Sequence, residues 1–222
     1  SLKVVSEEGE KALEVVQARN YITIDPIDGT LGYLEHVDHY AKLTSLGDFL
    51  TEDLGPKHDF CLLIGLVEDG APVFGCCCNY VTREKILLDA NDPKGCTIQN
   101  DKRKYVADTA LYTTPRETEA LQIPIELMVT TFVQATMGLK SVYALINGHQ
   151  NALVYHKSQG CGMWDLLPAS VAANCFGGEV LDGSGEKLLF TEYVEVPGKG
   201  AIVAKGKFLE LVKDQSNSKS KT

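Results

Sequence analysis

Asp25-Pro26-Ile27-Asp28-Gly29-Thr30 sets two carboxylates three residues apart, where the apolar run Tyr21 to Ile24 leads into a turn. Carboxylates that close repel unless a cation lies between them. Mg²⁺ takes oxygen ligands from one or two carboxylates and keeps room for water and substrate phosphate. Gly29 and Thr30 add backbone N–H groups at the mouth of a turn or helix start, where a phosphate can be held. The segment therefore reads as a metal and phosphate site. Asp-Pro and Asp-Gly are also common turn dipeptides, so the string alone is equally a strand-ending turn. Two further acidic stretches weigh for the site. Ser6-Glu7-Glu8-Gly9 closes a short apolar strand, Leu2 to Val5, and Gly160-Cys161-Gly162-Met163-Trp164-Asp165 brings an acid on a glycine-flanked turn just before the helical stretch Ala169 to Asn174.

Together these pieces resemble the inositol monophosphatase superfamily, the lithium-sensitive, Mg²⁺-dependent phosphomonoesterases that include the 3′(2′),5′-bisphosphate nucleotidases, inositol polyphosphate 1-phosphatases and fructose bisphosphatases. The family pattern is an E-E pair, then D-P-[IL]-D-[GS]-T, then W-D opening a helix near the C-terminus. Here Glu7 precedes Asp25 by 18 residues, close to the family interval. Gly177-Gly178-Glu179-Val180-Leu181-Asp182-Gly183-Ser184-Gly185 matches the family's A-G-G-x-x-x-D-x-x-G strand and turn, so the resemblance spans nearly the whole chain.

The resemblance implies a layered αβαβα sandwich with the site between two sheets; propensity alone supports only a mixed α/β globule. It implies that Glu7, Asp25, the backbone carbonyl of Ile27, Asp28 and Asp165 ligate two or three Mg²⁺ ions, with Asp28 bridging. It also implies that Glu7 and the Thr30 hydroxyl orient an activated water, while the N–H groups of Gly29 and Thr30 hold the phosphate. Asp165 has a structural alternative as a helix N-cap. Glu8 reads as a solvated acid and Trp164 as core.

For substrate, the family's inositol monophosphatases carry a glutamate at the position that Ser158 occupies, 7 residues before Asp165. The bisphosphate nucleotidases resemble Ser158-Gln159-Gly160-Cys161 better. Met137-Gly138-Leu139-Lys140 is similar to a glycine and lysine element of the nucleotidase and polyphosphate branches; it is equally a helix start with a solvated lysine. Gly138, Lys140 and Ser158 thus join Asp28, Gly29 and Thr30 as candidate substrate contacts. The expected substrate is 3′-phosphoadenosine 5′-phosphate or an inositol polyphosphate, ahead of inositol monophosphate.

A net charge of −9 over 222 residues leaves no basic stripe for a nucleic-acid polymer, whereas a small anion can be bound once metals reverse the local sign. The longest apolar run, Phe60 to Val67, is strand-length, so no membrane span is expected. The seven cysteines, with Cys76-Cys77-Cys78 pointing to alternate faces of a strand, read as buried free thiols in a reducing, cytoplasmic setting, zinc being the alternative. The Lys102-Arg103-Lys104 triplet and the His36-Val37-Asp38-His39 string read as solvated turn and loop.

Residues 1–105 form the expected metal-motif subdomain, with a polar insertion at 37–59. Within it, Phe60 to Glu68 and Ala71 to Tyr80 make a hairpin through Asp69-Gly70, Ile86 to Asp89 extends the sheet, and Lys94 to Tyr105 is exposed. Residues 106–213 form a second α/β subdomain. It holds a strand from Ala110 to Thr114, a helix start at Pro115 to Leu121, an ambiguous Ile125 to Phe132, a helix from Leu139 to Asn147, a helix from Ala169 to Cys175, and strands at Val180 to Leu189 and Gly200 to Ala204. The Ser/Lys/Asn-rich tail, 214–222, is expected to be disordered.

The chain starts at Ser1, and the family carries two helices ahead of its E-E strand, one of which supplies an acid that polarises the motif threonine. The expectation is a fragment, a processed form or a shortened lineage in which metal binding survives better than turnover. A non-catalytic metal- and phosphate-binding relative and a thiol or zinc protein remain as readings from other classes.

Overall fold

Strict alternation decides which face of the first sheet is buried. The computed structural model describes residues 2–7, 19–41, 59–99, 109–111, 136–156, 161–190 and 200–219. In it β2 (Tyr21–Asp28) buries Tyr21, Thr23 and Asp25, and β3 (Cys61–Glu68) buries Cys61, Leu63, Gly65 and Val67 on the same side. The intervening residues are half-buried on the other face, as a period of two requires. β1 (Lys3–Ser6) pairs parallel to β2. β4 (Ala71–Asn79), β5 (Lys85–Asp89) and β6 (Thr97–Gln99) complete a six-stranded sheet in the order β1-β2-β3-β4-β5-β6. The expected Asp69-Gly70 hairpin is present; both residues have positive φ, 50° and 81°, the conformation of a turn that matches strand twist.

The second sheet runs β7 (Thr109–Leu111), β8 (Asn151–His156), β10 (Ala201–Lys205), β9 (Glu179–Asp182). Between the sheets lie α2 (Met137–Ile146), against β2, β3, β8 and β10, and α3 (Met163–Phe176), against β2 to β5 and β9. α4 (Lys207–Lys219) packs on β8 and β10, where Phe208 and Val212 join Leu153, Leu181, Ile202 and Ala204 in a separate cluster. Sheet, helix pair, sheet and helix are four successive layers of the αβαβα sandwich. α1 (Thr30–Ala41) follows directly on the metal motif.

Two paired glycines leave room for α3 against the first sheet. Gly65 and Gly75 are register partners across β3 and β4. A Cβ on Gly65 would come 2.3 Å from Leu167 Cδ2, and one on Gly75 would come 3.1 Å from the Pro168 Cα. Glycine in a strand interior often marks such an approach of another backbone.

Several expectations change. Asp25 to Asp28 belong to β2 itself instead of a turn beyond it. α2 begins at Met137 and α3 at Met163, ahead of Leu139 and Ala169. Val180 to Leu189 is not one strand. The Asp182 carboxylate accepts the N–H groups of Ser184 and Glu186 at 2.7 and 3.1 Å, turning the chain so that Lys187 pairs back on Leu181. The tail that composition marks as disordered from Asp214 instead continues α4 to Lys219. Ser216 Oγ bonds Glu186 at 3.3 Å, which carries support past the last apolar residue, Val212. His36 and His39 lie on α1, with the His36 ring edge-on to Phe60 at 5.2 Å and buried, so the string is not a solvated loop. Glu8, residues 42–58 of the insertion, Lys102-Arg103-Lys104, Pro115 to Leu121, Ile125 to Phe132 and Ser158 lie outside the described residues. No helix among the described residues is long and apolar enough to cross a membrane.

Candidate metal and phosphate site

On a regular strand, residues 25 and 28 would face opposite sides of the sheet. The register of β2 against β3 shifts between Asp25 and Asp28, and this irregularity turns both carboxylates toward the helix layer, where each is buried. Asp25 Oδ1 accepts the N–H of Ile27 at 2.9 Å, bracing the distortion from within; Ile27 itself is half-buried.

Asp28 reaches the N-terminus of α2. Its Oδ2 accepts the N–H groups of Gly138 at 2.9 Å and Leu139 at 3.4 Å, the Thr136 hydroxyl, and the Cys61 thiol at 3.5 Å. Thr136 is the N-cap residue of α2 but makes no side-chain cap of its own, so a carboxylate from a distant strand caps this helix. Gly138 is required there: a Cβ would lie 2.2 Å from Leu63 Cδ1, 3.0 Å from the Asp165 carbonyl and 3.1 Å from Asp28 Oδ2.

Asp165 stands in the first turn of α3, buried, and its Oδ2 accepts the N–H of the N-cap residue Gly162 at 2.6 Å. The capping and site-forming readings of this residue therefore coexist. Trp164 is half-buried against the core, its ring over Gly162, where a Cβ would come 2.3 Å from Cε2. Gly29 has φ +93°, a Cβ there would lie 2.8 Å from the Asp59 carbonyl, and its carbonyl accepts the Tyr33 N–H, starting α1. The N–H groups of the first turn, Thr30 to Gly32, have no acceptor within the helix. Thr30 is exposed. The starts of α1, α2 and α3 thus converge on one spot.

One oxygen from each of Asp25, Asp28 and Asp165 lies within 4.8 Å of the other two. Burial, then Asp28 and Glu7, push the Asp25 carboxyl up to about 8. Burial raises Asp28 against its four hydrogen bonds, and burial followed by the Asp28 charge holds Asp165 well above the usual range. The exposed Glu7, whose N–H bonds the Ile24 carbonyl at 3.3 Å, hydrogen-bonds Asp25 through its side chain and so joins the cluster from the end of β1. Lys140, half-buried in the first turn of α2, lies close enough to oppose the rise that burial, Asp165 and Asp28 impose on the Cys161 thiol. The structure gathers Asp25, Asp28 and Asp165, with Glu7 bonded to Asp25 and Gly138 to Asp28; Ile27, Gly29 and Thr30 flank them in the chain, and Lys140 stands on the first turn of α2. Thr136 and Cys61 were not foreseen; a threonine before a helical run is a readable N-cap signal, whereas nothing local marks Cys61.

The model of the inositol monophosphatase family matches residues 1–218. The chain belongs to this family. No curated protein matches it. Among solved structures, it is similar to staphylococcal inositol monophosphatase-1 in a LiCl-soaked inhibitory complex, with 13% identity and a TM-score of 0.61 over 96% of this chain and 72% of the other. The 2′-AMP-bound SaIMPase-II gives 16%, 0.60, 98% and 75%.

An IMPase/NADP phosphatase complexed with NADP and Ca²⁺ gives 14%, 0.62, 96% and 74%. At such identities the likeness shows the fold. The oxygen-only, mutually repelling donor set of this family member suits a hard divalent cation, and Mg²⁺ fits it.

Proposed function

We propose that this inositol monophosphatase family member is a Mg²⁺-dependent phosphomonoesterase acting on a small phosphorylated metabolite, with 3′-phosphoadenosine 5′-phosphate or an inositol polyphosphate ahead of inositol monophosphate. The observation that carries the reading is the buried triad of Asp25, Asp28 and Asp165 gathered within 4.8 Å at converging helix starts. Asp25, Asp28 and Asp165, with Glu7 at the rim and the Ile27 carbonyl, are the groups that would hold Mg²⁺. Bound there, Mg²⁺ supplies the positive charge that draws in a phosphate ester and makes water acidic enough to attack it at neutral pH.

The chain's own residues do the rest. The N–H groups of Gly29 and Thr30 at the start of α1 donate to the phosphate oxygens, and their preset orientation avoids reorganisation as charge develops. The Glu7 carboxylate, exposed on the open side of the cluster, takes a proton from the attacking water, and the Thr30 hydroxyl orients it. Lys140, on the first turn of α2, and Ser158, taken from the sequence alone, are the residues proposed to meet the leaving group. A lysine there favours a substrate with a second phosphate, and a serine in place of the family's glutamate removes the acid that would hold inositol hydroxyls.

Phosphate release with Mg²⁺ from 3′-phosphoadenosine 5′-phosphate, inositol 1,4-bisphosphate and inositol 1-phosphate tests this. Release from either bisphosphate in excess of the monophosphate is expected, and chelation should abolish it. No release from any of them, together with tight Mg²⁺ binding, refutes catalysis and leaves a metal- and phosphate-binding relative.

A further inference from the structure

The seven thiols divide by accessibility. Cys61, Cys77 and Cys161 are buried, and the four half-buried ones form two close pairs. Cys76 and Cys78 have Sγ atoms 3.8 Å apart, and Cys96 and Cys175 have theirs 3.5 Å apart. Cys76 and Cys78 share one face of β4, two residues apart, so their Cβ atoms stand about 6.7 Å from each other. A disulfide needs roughly 3.5–4.5 Å between Cβ atoms, and that pair cannot close without bending the strand. Cys96 and Cys175 come from different elements, the β5–β6 connection and the last turn of α3, and face each other across the end of β5. Both thiols point at the Asp89 carbonyl, at 3.8 and 3.4 Å, and the Asp89 N–H donates to Cys96 Sγ at 3.3 Å. Their sulfurs, 3.5 Å apart, need come only about 1.5 Å closer to reach the bonded separation of about 2.05 Å.

We infer that Cys96 and Cys175 form a reversible intramolecular disulfide that clips the rim of the first sheet to the C-terminal end of α3. With a small disulfide such as oxidised glutathione as the oxidant, the Cys96 thiolate attacks one glutathione sulfur and releases one glutathione. Cys175 then attacks Cys96 Sγ and releases the second. Two protein thiols are oxidised and one glutathione disulfide is reduced to two thiols. Burial and the hydrogen bond with Cys96 push Cys175 up to about 12, so the closing step is slow at neutral pH and quickens as pH rises. The clipped helix is the one whose first turn holds Asp165, 10 residues and about 15 Å from the bridge.

The test treats the full chain with oxidised glutathione, then counts free thiols after denaturation and maps peptides without reduction. The free thiols should fall from the seven of the sequence to five, with one peptide pair joining Cys96 to Cys175. The melting temperature should rise by roughly 5–15 °C, since the bridge closes a long loop. Cys96→Ser and Cys175→Ser should each lose both the linked pair and the rise, and reductant should restore seven thiols in the wild-type chain. A count that stays at seven, glutathione left on Cys96 or Cys175 with no linked pair, or a link between Cys76 and Cys78 instead would overturn the inference.

Discussion

Asp28 serves two ends at once, and replacing it by asparagine separates them. Oδ2 is engaged by the start of α2, by Thr136 and by Cys61, while the group's charge contributes to the triad. An asparagine carbonyl oxygen at the Oδ2 position still accepts the Gly138 and Leu139 N–H groups, so the cap survives and the charge disappears. At the 4.8 Å limit of the triad and an effective dielectric of about 20, one ionised pair costs about 3.5 kcal/mol. Asp28 could enter two such pairs. Asp25, pushed up to about 8, is mostly protonated at neutral pH, however, and Asp165 is raised as well, so the repulsion is already partly relieved by bound protons. The net gain on neutralising Asp28 is therefore about 1–3 kcal/mol in the metal-free protein, a rise of roughly 3–10 °C in melting temperature.

Asp28→Ala should behave differently. It also removes the charge, but it strips the acceptor from the α2 amides, and so falls below Asp28→Asn by about 2–4 kcal/mol through the lost cap and the unsatisfied buried donors. Calorimetric melts of wild type and both variants, in chelator and in saturating MgCl₂, measure this, with phosphate release measured in parallel. Mg²⁺ should raise the wild-type melting temperature more than that of Asp28→Asn, and Asp28→Asn should lose at least about two orders of magnitude in rate. If metal-free Asp28→Asn is less stable than wild type, or if Mg²⁺ stabilises it equally, the triad is not the charge trap described here.

The raised carboxyl of Asp25, about 8 in the folded chain against about 3.9 unfolded, binds its proton more tightly when folded. Metal-free stability should then fall as pH climbs from about 4 to 8, and Mg²⁺ should flatten the slope; melts across that range that show a pH-independent chelated protein would contradict it. Gly65→Ala places a Cβ 2.3 Å from Leu167 Cδ2, so it should cost about 1–3 kcal/mol and weaken Mg²⁺ binding by displacing α3, both measurable by melting and by Mg²⁺ titration. Gly29→Ala, at φ +93° and 2.8 Å from the Asp59 carbonyl, should cost at least about 1–2 kcal/mol and lower phosphate affinity, read by competition with inorganic phosphate. Submillimolar to millimolar Li⁺ should inhibit phosphate release, and insensitivity would count against the nucleotidase and polyphosphate branches.

What could be read from the sequence was what is local. Two acids around a proline, an acid after a tryptophan and a glutamate ending an apolar strand are chemically conspicuous wherever they fall, and the Asp69-Gly70 hairpin follows from turn chemistry alone. The means of gathering those acids is not local. A period of two would separate Asp25 from Asp28, and only their pairing with β3 shows the register shift that reunites them. Asp28's main partners, Thr136 and Gly138, are 108 and 110 residues away, and no motif contains both ends of such a bond.

The same holds for α3. Its composition marks a helix at Ala169, but what carries its first turn, and Asp165, down to β2 is the glycine pair Gly65 and Gly75 on two other strands, which local pattern would score as weak points in the sheet. The disordered-tail expectation failed for the same reason, since Ser216 is held by Glu186 from a turn 30 residues earlier. The acids identify the chemistry, then, while the residues that set their spacing are a threonine, a cysteine and several glycines with no chemistry of their own. Mutations at Gly65 or Gly138 should consequently disturb metal binding although neither residue offers a side-chain ligand.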